Sequence, residues 1–394
     1  MTVGIPSASS GRYSPLPSFS LQVPGVFRSL LIKFKLALLK RGVVRNFEFM
    51  RNSINRLEVK KLFIFGAGVT YSISSRNQQS FKEAPLDSNF ISKLLEIDVK
   101  KPKWVKPSIE YIVDQWKDEE PIEKFGLEEA IITQNSHLEF IEAIHKNRRN
   151  ESVTPQSYLS NLSHLICYLL SRVRENRNSL LENFISKFFA NNNTKNRIIT
   201  FNYDKIIDEY LLGNIDPKEM YFDEIKENRS DNSHLEFESP ILLKLHGSIN
   251  WRCHEDDFNN IINAEEENHR IPEIWIDNRN RPSVNDERFP LIIPPLPQKP
   301  ITRVKLFQYL WTKAFEYLFE AEEIIIAGYS LPDADGLANS MFRTFKSNSL
   351  KIVTIIDPNT DILAKWRSVI RRGNVPSCSW RYYEDFNEYI KQNA

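Results

Sequence analysis

Cysteine is scarce in this chain, which has only three among 394 residues. Cys167, Cys253 and Cys378 lie too far apart to form the Cys-x-x-Cys pairs of a zinc site. So few and such scattered thiols also fit a protein of the reducing cytoplasm. The sequence therefore predicts a cytoplasmic protein with no bound zinc.

Long apolar runs and an excess of one charge are missing as well. No apolar run approaches the roughly 20 residues that span a bilayer. The formal net charge is +1, which gives no overall attraction for nucleic acid. With 41% hydrophobic and 26% charged residues, the composition is that of an ordinary soluble globular protein. We expect direct binding to neither nucleic acid nor a membrane.

The N-terminal part of the chain lacks acidic residues, because the first one is Glu48. The basic residues before it are Arg12, Arg28, Lys33, Lys35, Lys40, Arg41 and Arg45. Residues 26–41 have the pattern of a basic amphipathic helix, which could dock on its own protein or another subunit, or bind a partner or a membrane surface. The acid-poor, Ser-rich composition is also typical of an organellar transit peptide. We predict that residues 1–58 form a flexible basic arm.

A short apolar strand followed by two glycines organises the remainder of the chain. Residues 62–65 (Leu-Phe-Ile-Phe) show no polar alternation, which indicates a strand of a buried parallel sheet. Gly66 and Gly68 then allow a tight turn and a close approach of the backbone to a phosphate. The third glycine of the dinucleotide-binding fingerprint is missing, so this segment alone could equally be a simple turn.

Several apolar runs end in small or polar residues. They cover residues 62–65, 197–201, 241–245, 323–327 and 351–356, and are followed by Gly-Ala-Gly, Asn-Tyr-Asp, His-Gly-Ser, Gly-Tyr-Ser and Asp-Pro-Asn. In an open parallel sheet, ligands bind at the carboxyl ends of the strands. The alternative is that each cluster only serves a turn. The pattern predicts an α/β fold with a Rossmann-like parallel sheet flanked by helices, over residues 59–394.

Residues 98–195 lack this alternation and show helical apolar spacing instead. We predict a large helical insertion of four or five helices, which could act as a lid over a pocket. Its histidines, His137, His145 and His164, have no second candidate ligand at helical spacing, so we expect them at the surface or in helix packing. The other predicted elements are helices over 89–97 and 306–320, and a long surface loop or small subdomain over 252–288.

The motifs at four of the strand ends resemble, in order, those of the sirtuin superfamily. They are Gly-Ala-Gly at 66–68, Thr-Phe-Asn-Tyr-Asp at 200–204, Leu-His-Gly-Ser at 245–248 and Gly-Tyr-Ser-Leu at 328–331. The similarity is strongest to the bacterial sirtuin-like NADase branch that acts in defence against phage. It covers roughly residues 60–90 and 196–360.

The resemblance implies an NAD site with a role for each motif. Asn202 matches the asparagine that orients the nicotinamide ribose and the attacking water, and His246 matches the histidine that acts as a base. The other NAD-binding residues that it implies are Gly66, Ala67, Gly68, Thr70, Asp204, Gly328, Ser330 and Asn359. The glycine loop would hold the diphosphate, and Asn359 would reach the adenosine ribose.

Two differences from the deacetylases of this superfamily indicate which molecule reacts with NAD as the acceptor, an acyl-lysine or water. Those enzymes carry a four-cysteine zinc module after the His-Gly motif, whereas only Cys253 follows it nearby here. Residues 81–87 (Phe-Lys-Glu-Ala-Pro-Leu-Asp) stand in place of their Gly-Ile-Pro-Asp-Phe-Arg segment. Both differences argue against acyl-lysine as a substrate and favour water, which predicts an NAD hydrolase with NAD+ as its substrate.

The resemblance further implies depletion of cellular NAD in abortive infection. Because such an activity is toxic when unregulated, we expect activation by homo-oligomer assembly or by a separate partner, and a HerA-type ATPase fits this branch best. An alternative is a non-catalytic module that binds NAD or ADP-ribose and controls assembly.

Overall fold

The computed structural model describes residues 59–73, 85–86, 89–95, 127, 155–173, 179–190, 195–212, 220–221, 240–262, 274–276, 289–293, 304–333, 335–347, 349–372, 375 and 378–393. All of them belong to a unit that spans residues 58–394. The predicted basic arm lies outside the described residues, and so do His137, His145 and most of the predicted insertion. The domain boundaries therefore stay predictions.

The described chain contains both helices and strands, and helices separate most strands of the main sheet. In order they are β1 (Lys61–Phe65), α1 (Ala67–Ile73), α2 (Phe90–Leu95), α3 (Pro155–Leu170), α4 (Ser179–Phe189), β2 (Arg197–Thr200), α5 (Ile206–Leu212), β3 (Leu242–Lys244), β4 (Gly247–Cys253), α6 (Glu255–Ile262), β5 (Trp275–Ile276), β6 (Phe289–Ile292), α7 (Lys305–Glu320), β7 (Glu323–Ala327), α8 (Gly336–Thr344), β8 (Ile352–Ile356), α9 (Asp361–Arg372), β9 (Ser379–Tyr383) and α10 (Phe386–Asn393). The predicted helices 89–97 and 306–320 correspond to α2 and α7. Among the helices described, none combines the length and the apolar character needed to cross a membrane.

One parallel sheet contains six strands in the order β3-β2-β1-β7-β8-β9. At its centre, Phe63 of β1 pairs with Ile198 of β2 on one side and with Ile325 of β7 on the other. These residues are fully buried, because helices flank the sheet on its faces, and this is why the central strands carry unbroken apolar runs. The predicted α/β class with a Rossmann-like parallel sheet is confirmed.

The predicted strands β1, β2, β3, β7 and β8 agree with the observed strands to within one residue at each end. The strand β9 was not predicted. Its side chains are exposed or half-buried at the edge of the sheet, so it carries no unbroken apolar run. The other edge strand, β3, is buried throughout and was predicted, so it is the exposure of β9 that weakens its signal in the sequence.

A smaller antiparallel sheet, in the order β5-β4-β6, begins directly after β3. All residues of β4 are buried, including the polar Asn250 and Arg252. Gly247 starts this strand with a φ of 80°, and a Cβ there would lie 2.1 Å from the carbonyl oxygen of Leu291 in β6. In their described part, residues 252–288 are therefore no simple surface loop, because they contribute to β4, α6 and β5 of this small subdomain.

Helix α4 lies within the predicted insertion but packs on the main sheet. The ring of Phe184 meets Phe63 of β1 edge to face at a centroid distance of 5.0 Å and lies 5.6 Å from Phe386 of α10. A lid formed by the insertion therefore does not include α4. In α3, His164 packs against Phe289 of β6 at 4.7 Å, and burial lowers the pKa of His164 to about 4.

We expect the Phe184→Ala substitution to destabilise the protein by about 3–5 kcal/mol, because it removes a buried ring from the contact between sheet and helices. Phe319→Ala in α7 is the matched control, since Phe319 is 39% exposed and its loss should cost about 1 kcal/mol or less. Urea unfolding followed by circular dichroism measures both. Equal losses in the two variants would contradict the packing described for Phe184.

Candidate functional site

The predicted motifs lie side by side at the carboxyl edge of the main sheet. Just beyond a strand, a backbone N–H still donates to a carbonyl of the neighbouring strand. These bonds run from Leu245 to Thr200 (3.1 Å), from Phe201 to Phe65 (3.1 Å), from Gly66 to Ala327 (3.0 Å) and from Gly328 to Ile356 (2.9 Å). Strand spacing puts about 19 Å between β3 and β8. We call this edge, residues 66–70, 202–204, 245–248, 328–330 and 357–359, the rim.

Two loops touch backbone to backbone at the centre of the rim. Gly68 donates its N–H to the carbonyl oxygen of Gly328 over 3.0 Å. A Cβ on Gly66 would lie 2.4 Å from that oxygen, and one on Gly68 would lie 2.7 Å from the Cα of Gly328. Gly328 has a φ of 57°, which favours glycine, and Ala67 is exposed beside it. The contact lies between β1 and β7, at the topological switch point where such sheets bind ligands.

Asn202 is held by a chain of hydrogen bonds. Its Nδ2 donates to the carbonyl oxygen of Gly66 over 2.9 Å and to Oγ1 of Thr70 over 3.0 Å. The Thr70 hydroxyl in turn donates to Oδ2 of Asp204 over 2.6 Å. Because the Gly66 carbonyl can only accept, the amide orientation of Asn202 is fixed and both its protons are used. Its Oδ1 remains the atom that can accept a hydrogen bond from a ligand or a water.

Asp204 is buried just before α5. Its Oδ1 accepts from the backbone N–H of Ile206 over 3.0 Å, and its Oδ2 accepts from Thr70. Burial raises the pKa of this carboxyl, while the ammonium of Lys244 and the hydrogen bond from Thr70 act in the opposite direction. Asp204 thus ends, inside the protein, the chain of hydrogen bonds that begins at Asn202.

A buried ion pair lies beneath the rim, and no pattern in the sequence had predicted it. The ammonium of Lys244 in β3 lies 3.0 Å from Oδ2 of Asp208 in α5, and both side chains are 1% exposed. Lys244 also donates to the backbone carbonyl of Asp204, and Asp208 accepts from the hydroxyl of Tyr221. Asn250 of β4 donates to that hydroxyl over 3.1 Å. The sequence does contain one indication of this pair, which is the lysine within the apolar strand. A buried lysine needs a partner of opposite charge.

His246 lies in the turn between β3 and β4 and is 6% exposed. Its Nε2 is 3.3 Å from Oδ2 of Asp335. Its ring contacts Phe201 and Tyr203, the residues on either side of Asn202, at centroid distances of 5.4 and 6.1 Å. The two predicted catalytic residues therefore follow neighbouring strands, β2 and β3, at the rim.

Asp335 is the N-cap of α8 and is 3% exposed. Its Oδ1 accepts from the backbone N–H of Ala338, and its Oδ2 accepts from the hydroxyl of Tyr329, both over 3.3 Å. No motif singles this residue out in the sequence. The available signal is an aspartate just before a helix, which is typical of an ordinary cap.

The other predicted residues lie at the β7 and β8 end of the rim. Ser330 and Asn359 are exposed. Oδ1 of Asn359 accepts from the backbone N–H of Asp361 over 3.0 Å and so caps α9. Asp357, directly after β8, accepts from the backbone N–H of Asn359, and burial raises the pKa of its carboxyl. The side-chain oxygen of Asn359 is thus already used by the cap, and Asp357 is the polar side chain at the strand end itself.

Within the described residues, no group of three or more His, Cys, Asp or Glu side chains could hold a metal ion. Cys253, which follows the His-Gly motif, is buried in β4, and its Sγ lies 3.9 Å from the carbonyl oxygen of Phe289. Burial raises the pKa of the Cys253 thiol to about 12. A thiol that stays protonated is a poor metal ligand.

Comparison with families of known proteins adds an independent observation. Residues 196–361 match the model of the SIR2-like domain. The matched segment of this domain runs from β2 to the start of α9 and contains Asn202, His246 and Gly328. Strand β1 and the glycine loop after it lie outside the matched segment. A comparison with curated proteins finds no match.

The SIR2-like domain supports the resemblance to the sirtuin superfamily. It indicates an NAD-dependent activity in general, because members of the SIR2-like family are NAD-dependent enzymes. The matched segment contains the strands β2, β3, β7 and β8, and the ends of these strands form most of the rim.

The buried ion pair leads to a prediction about stability. We expect Lys244→Met to destabilise the protein by about 3–5 kcal/mol, because it leaves the Asp208 carboxylate buried without its partner charge. Lys351→Met is the matched control, since the Lys351–Glu322 pair also spans 3.0 Å but is 67% and 44% exposed. That loss should be about 1 kcal/mol or less. Urea unfolding measures the loss of stability in both variants. Equal losses would contradict the role of Lys244 as the partner charge that stabilises the buried Asp208 carboxylate.

The pKa of Asp204 leads to a prediction about pH. Because the folded-state pKa is raised, the carboxyl contributes stability that is present below the unfolded pKa of about 3.9 and is lost as pH rises through the folded value. Relative to Asp204→Asn, the wild type should therefore lose free energy of unfolding as pH rises above about 4 and through the folded-state pKa. Urea titrations at successive pH values measure the difference. A relative gain of the wild type over this range would be incompatible with a raised pKa.

Proposed function

We propose that this protein hydrolyses NAD+ at the bond between nicotinamide and ribose, giving nicotinamide and ADP-ribose. The SIR2-like domain supports an NAD-dependent activity in general. The finer proposal rests on one observation: the ring of His246 contacts Phe201 and Tyr203, the residues on either side of Asn202, whose amide is held by Gly66 and Thr70. A fixed hydrogen-bond acceptor and an imidazole at the ends of neighbouring strands suit the hydrolysis of this bond.

Cleavage of the nicotinamide–ribose bond passes through a cation-like ribose. Nicotinamide leaves as a neutral group, so the reaction needs no strong general acid. It gains from a positioned water, from a base whose pKa lies near neutral pH and from groups that shield the cationic carbon. Histidine is the side chain that supplies such a base.

The hydrogen bonds of Asn202 define its share of this chemistry. Because both amide protons are committed, its Oδ1 accepts from a ribose hydroxyl or from the attacking water. A fixed acceptor restricts the positions that the water can take, which lowers the entropic part of the barrier. His246, which follows the neighbouring strand, takes the proton from the water or from a ribose hydroxyl.

The rest of NAD would extend along the rim away from His246. The loops that carry Gly66 and Gly328 meet at the switch point, where the backbone can approach a diphosphate closely. The adenosine half would then lie over β7 and β8, near Ser330 and the residues after β8. This arrangement uses the whole rim, with the reacting bond at one end.

We further propose that the hydrolysis serves phage defence by depleting NAD in the cytoplasm of an infected cell. This part rests on the resemblance of the motifs to the defence branch of the sirtuin superfamily. Such an activity needs control, and we propose activation by homo-oligomer assembly or by a partner, with a HerA-type ATPase as the first candidate. Water is the proposed acceptor, because the sequence lacks the zinc module and the peptide segment of the deacetylases.

Release of nicotinamide from NAD+ by the purified protein, alone and with a HerA-type ATPase, tests the proposal. We expect Asn202→Ala and His246→Ala each to lower the rate by about 10²- to 10⁴-fold, because each removes a group that acts on the reacting atoms. His254→Ala is the matched control and should keep the full rate. That histidine is exposed at the far end of β4, against Trp275.

Two results would contradict the proposal. Equal rates for the wild type and His246→Ala would exclude the imidazole as the base. Saturable binding of NAD+ or ADP-ribose, with no nicotinamide release under any condition, would favour the alternative of a non-catalytic module that controls assembly.

A further inference from the structure

The buried carboxylate of Asp335 faces the buried imidazole of His246, and both residues are more than nine-tenths covered. We infer that Asp335 is a positioning residue, which holds His246 with Nε2 protonated so that Nδ1 is the nitrogen that acts as the base. The base role rests on the proposed NAD hydrolysis, whereas the pairing itself depends only on the contacts within the protein.

The chemistry of the two groups assigns the proton. A carboxylate offers only acceptors, so the imidazole nitrogen that is 3.3 Å from it is stabilised when it carries a proton. In a neutral imidazole, the other nitrogen then has the lone pair. When Nδ1 takes a proton from water or from a ribose hydroxyl, the O–H electron pair stays on oxygen and the ring becomes a cation. The carboxylate beside the ring stabilises that cation.

Asp335 can hold the imidazole because it is itself held. One of its oxygens caps α8 at Ala338, and the other accepts from the hydroxyl of Tyr329. The ring of Tyr329 stacks on Phe201 at 4.0 Å, and Phe201 contacts the His246 ring at 5.4 Å. The carboxylate and the aromatic rings therefore form one packed group around His246. This group restricts both the tilt and the rotation of the imidazole.

Asp335→Asn is the informative substitution, because asparagine caps a helix as well as aspartate does but lacks the charge. Asp385→Asn is the matched control. Asp385 caps α10 in the same way, by accepting from the backbone N–H groups of Asn387 and Glu388, and it is exposed. Asp335→Ser keeps a capping side chain that is too short to reach the imidazole, and it serves as a second variant.

Two measurements are needed. Nitrogen-15 NMR of His246, with signals assigned from His246→Ala, reports which ring nitrogen carries the proton whether or not NAD+ is hydrolysed. Steady-state release of nicotinamide from NAD+ reports kcat and KM separately. Unfolding midpoints in urea show that each variant is folded.

We expect Nε2 to carry the proton in the wild type and in Asp385→Asn, and a mixture of both tautomers in Asp335→Asn and Asp335→Ser. In the two Asp335 variants, kcat should fall by about 10²-fold while KM for NAD+ changes by less than about threefold, because Asp335 acts on the base and not on the substrate. Asp385→Asn should keep both constants.

A wild-type His246 protonated at Nδ1 would overturn the positioning role, and so would Asp335 variants with an unchanged tautomer or an unchanged kcat. A wild type that releases no nicotinamide with any partner, yet loses the Nε2 tautomer on Asp335→Asn, would overturn NAD hydrolysis. That second result would uphold the pairing of Asp335 with His246, so the two failures are distinguishable.

Discussion

The close contact between the loops after β1 and β7 is the constraint on which the rest of the rim depends. Gly66, Gly68 and Gly328 bring two backbones so near that no side chain fits between them. The carbonyl of Gly66 also accepts from the amide of Asn202. The loop that meets its partner at the switch point therefore also fixes a side chain on the next strand, and a larger residue in this contact would move both.

Buried polar residues, which are paired with one another inside the protein, support the rim. The chain from Asn202 through Thr70 ends at Asp204, whose backbone carbonyl accepts from Lys244. Lys244 in turn pairs with Asp208. Such groups are strongly held in a medium of low dielectric, and each is costly to leave without its partner. The orientation of the side chains on the rim is thus tied to the integrity of the buried network.

The first strand of the small antiparallel sheet, β4, begins at Gly247, directly after His246. In the deacetylases of the sirtuin superfamily, a zinc module follows the corresponding motif, whereas this chain continues into β4, which is buried along its length. The strand is held by its pairing with β6 and by contacts to the helix α3, where Sγ of Cys167 lies 3.8 Å from the carbonyl oxygen of Ile249. On the other side of the turn, the indole of Trp311 donates to the carbonyl of Leu245 over 3.1 Å. His246 therefore sits between two sheets that are both packed.

The sequence by itself determined the central strands, because buried parallel strands need unbroken apolar runs, and it placed Asn202 and His246 directly after two of these runs. Their catalytic roles come from the resemblance of the motifs and stay predictions. The sequence did not reveal β9, whose exposed and half-buried side chains leave no such run. Only the tertiary structure decided that Asp335 faces His246, that Lys244 pairs with Asp208 and that both amide protons of Asn202 are used. Each of these depends on distances between atoms of different elements, and contacts between residues far apart in the chain leave no local periodicity to read.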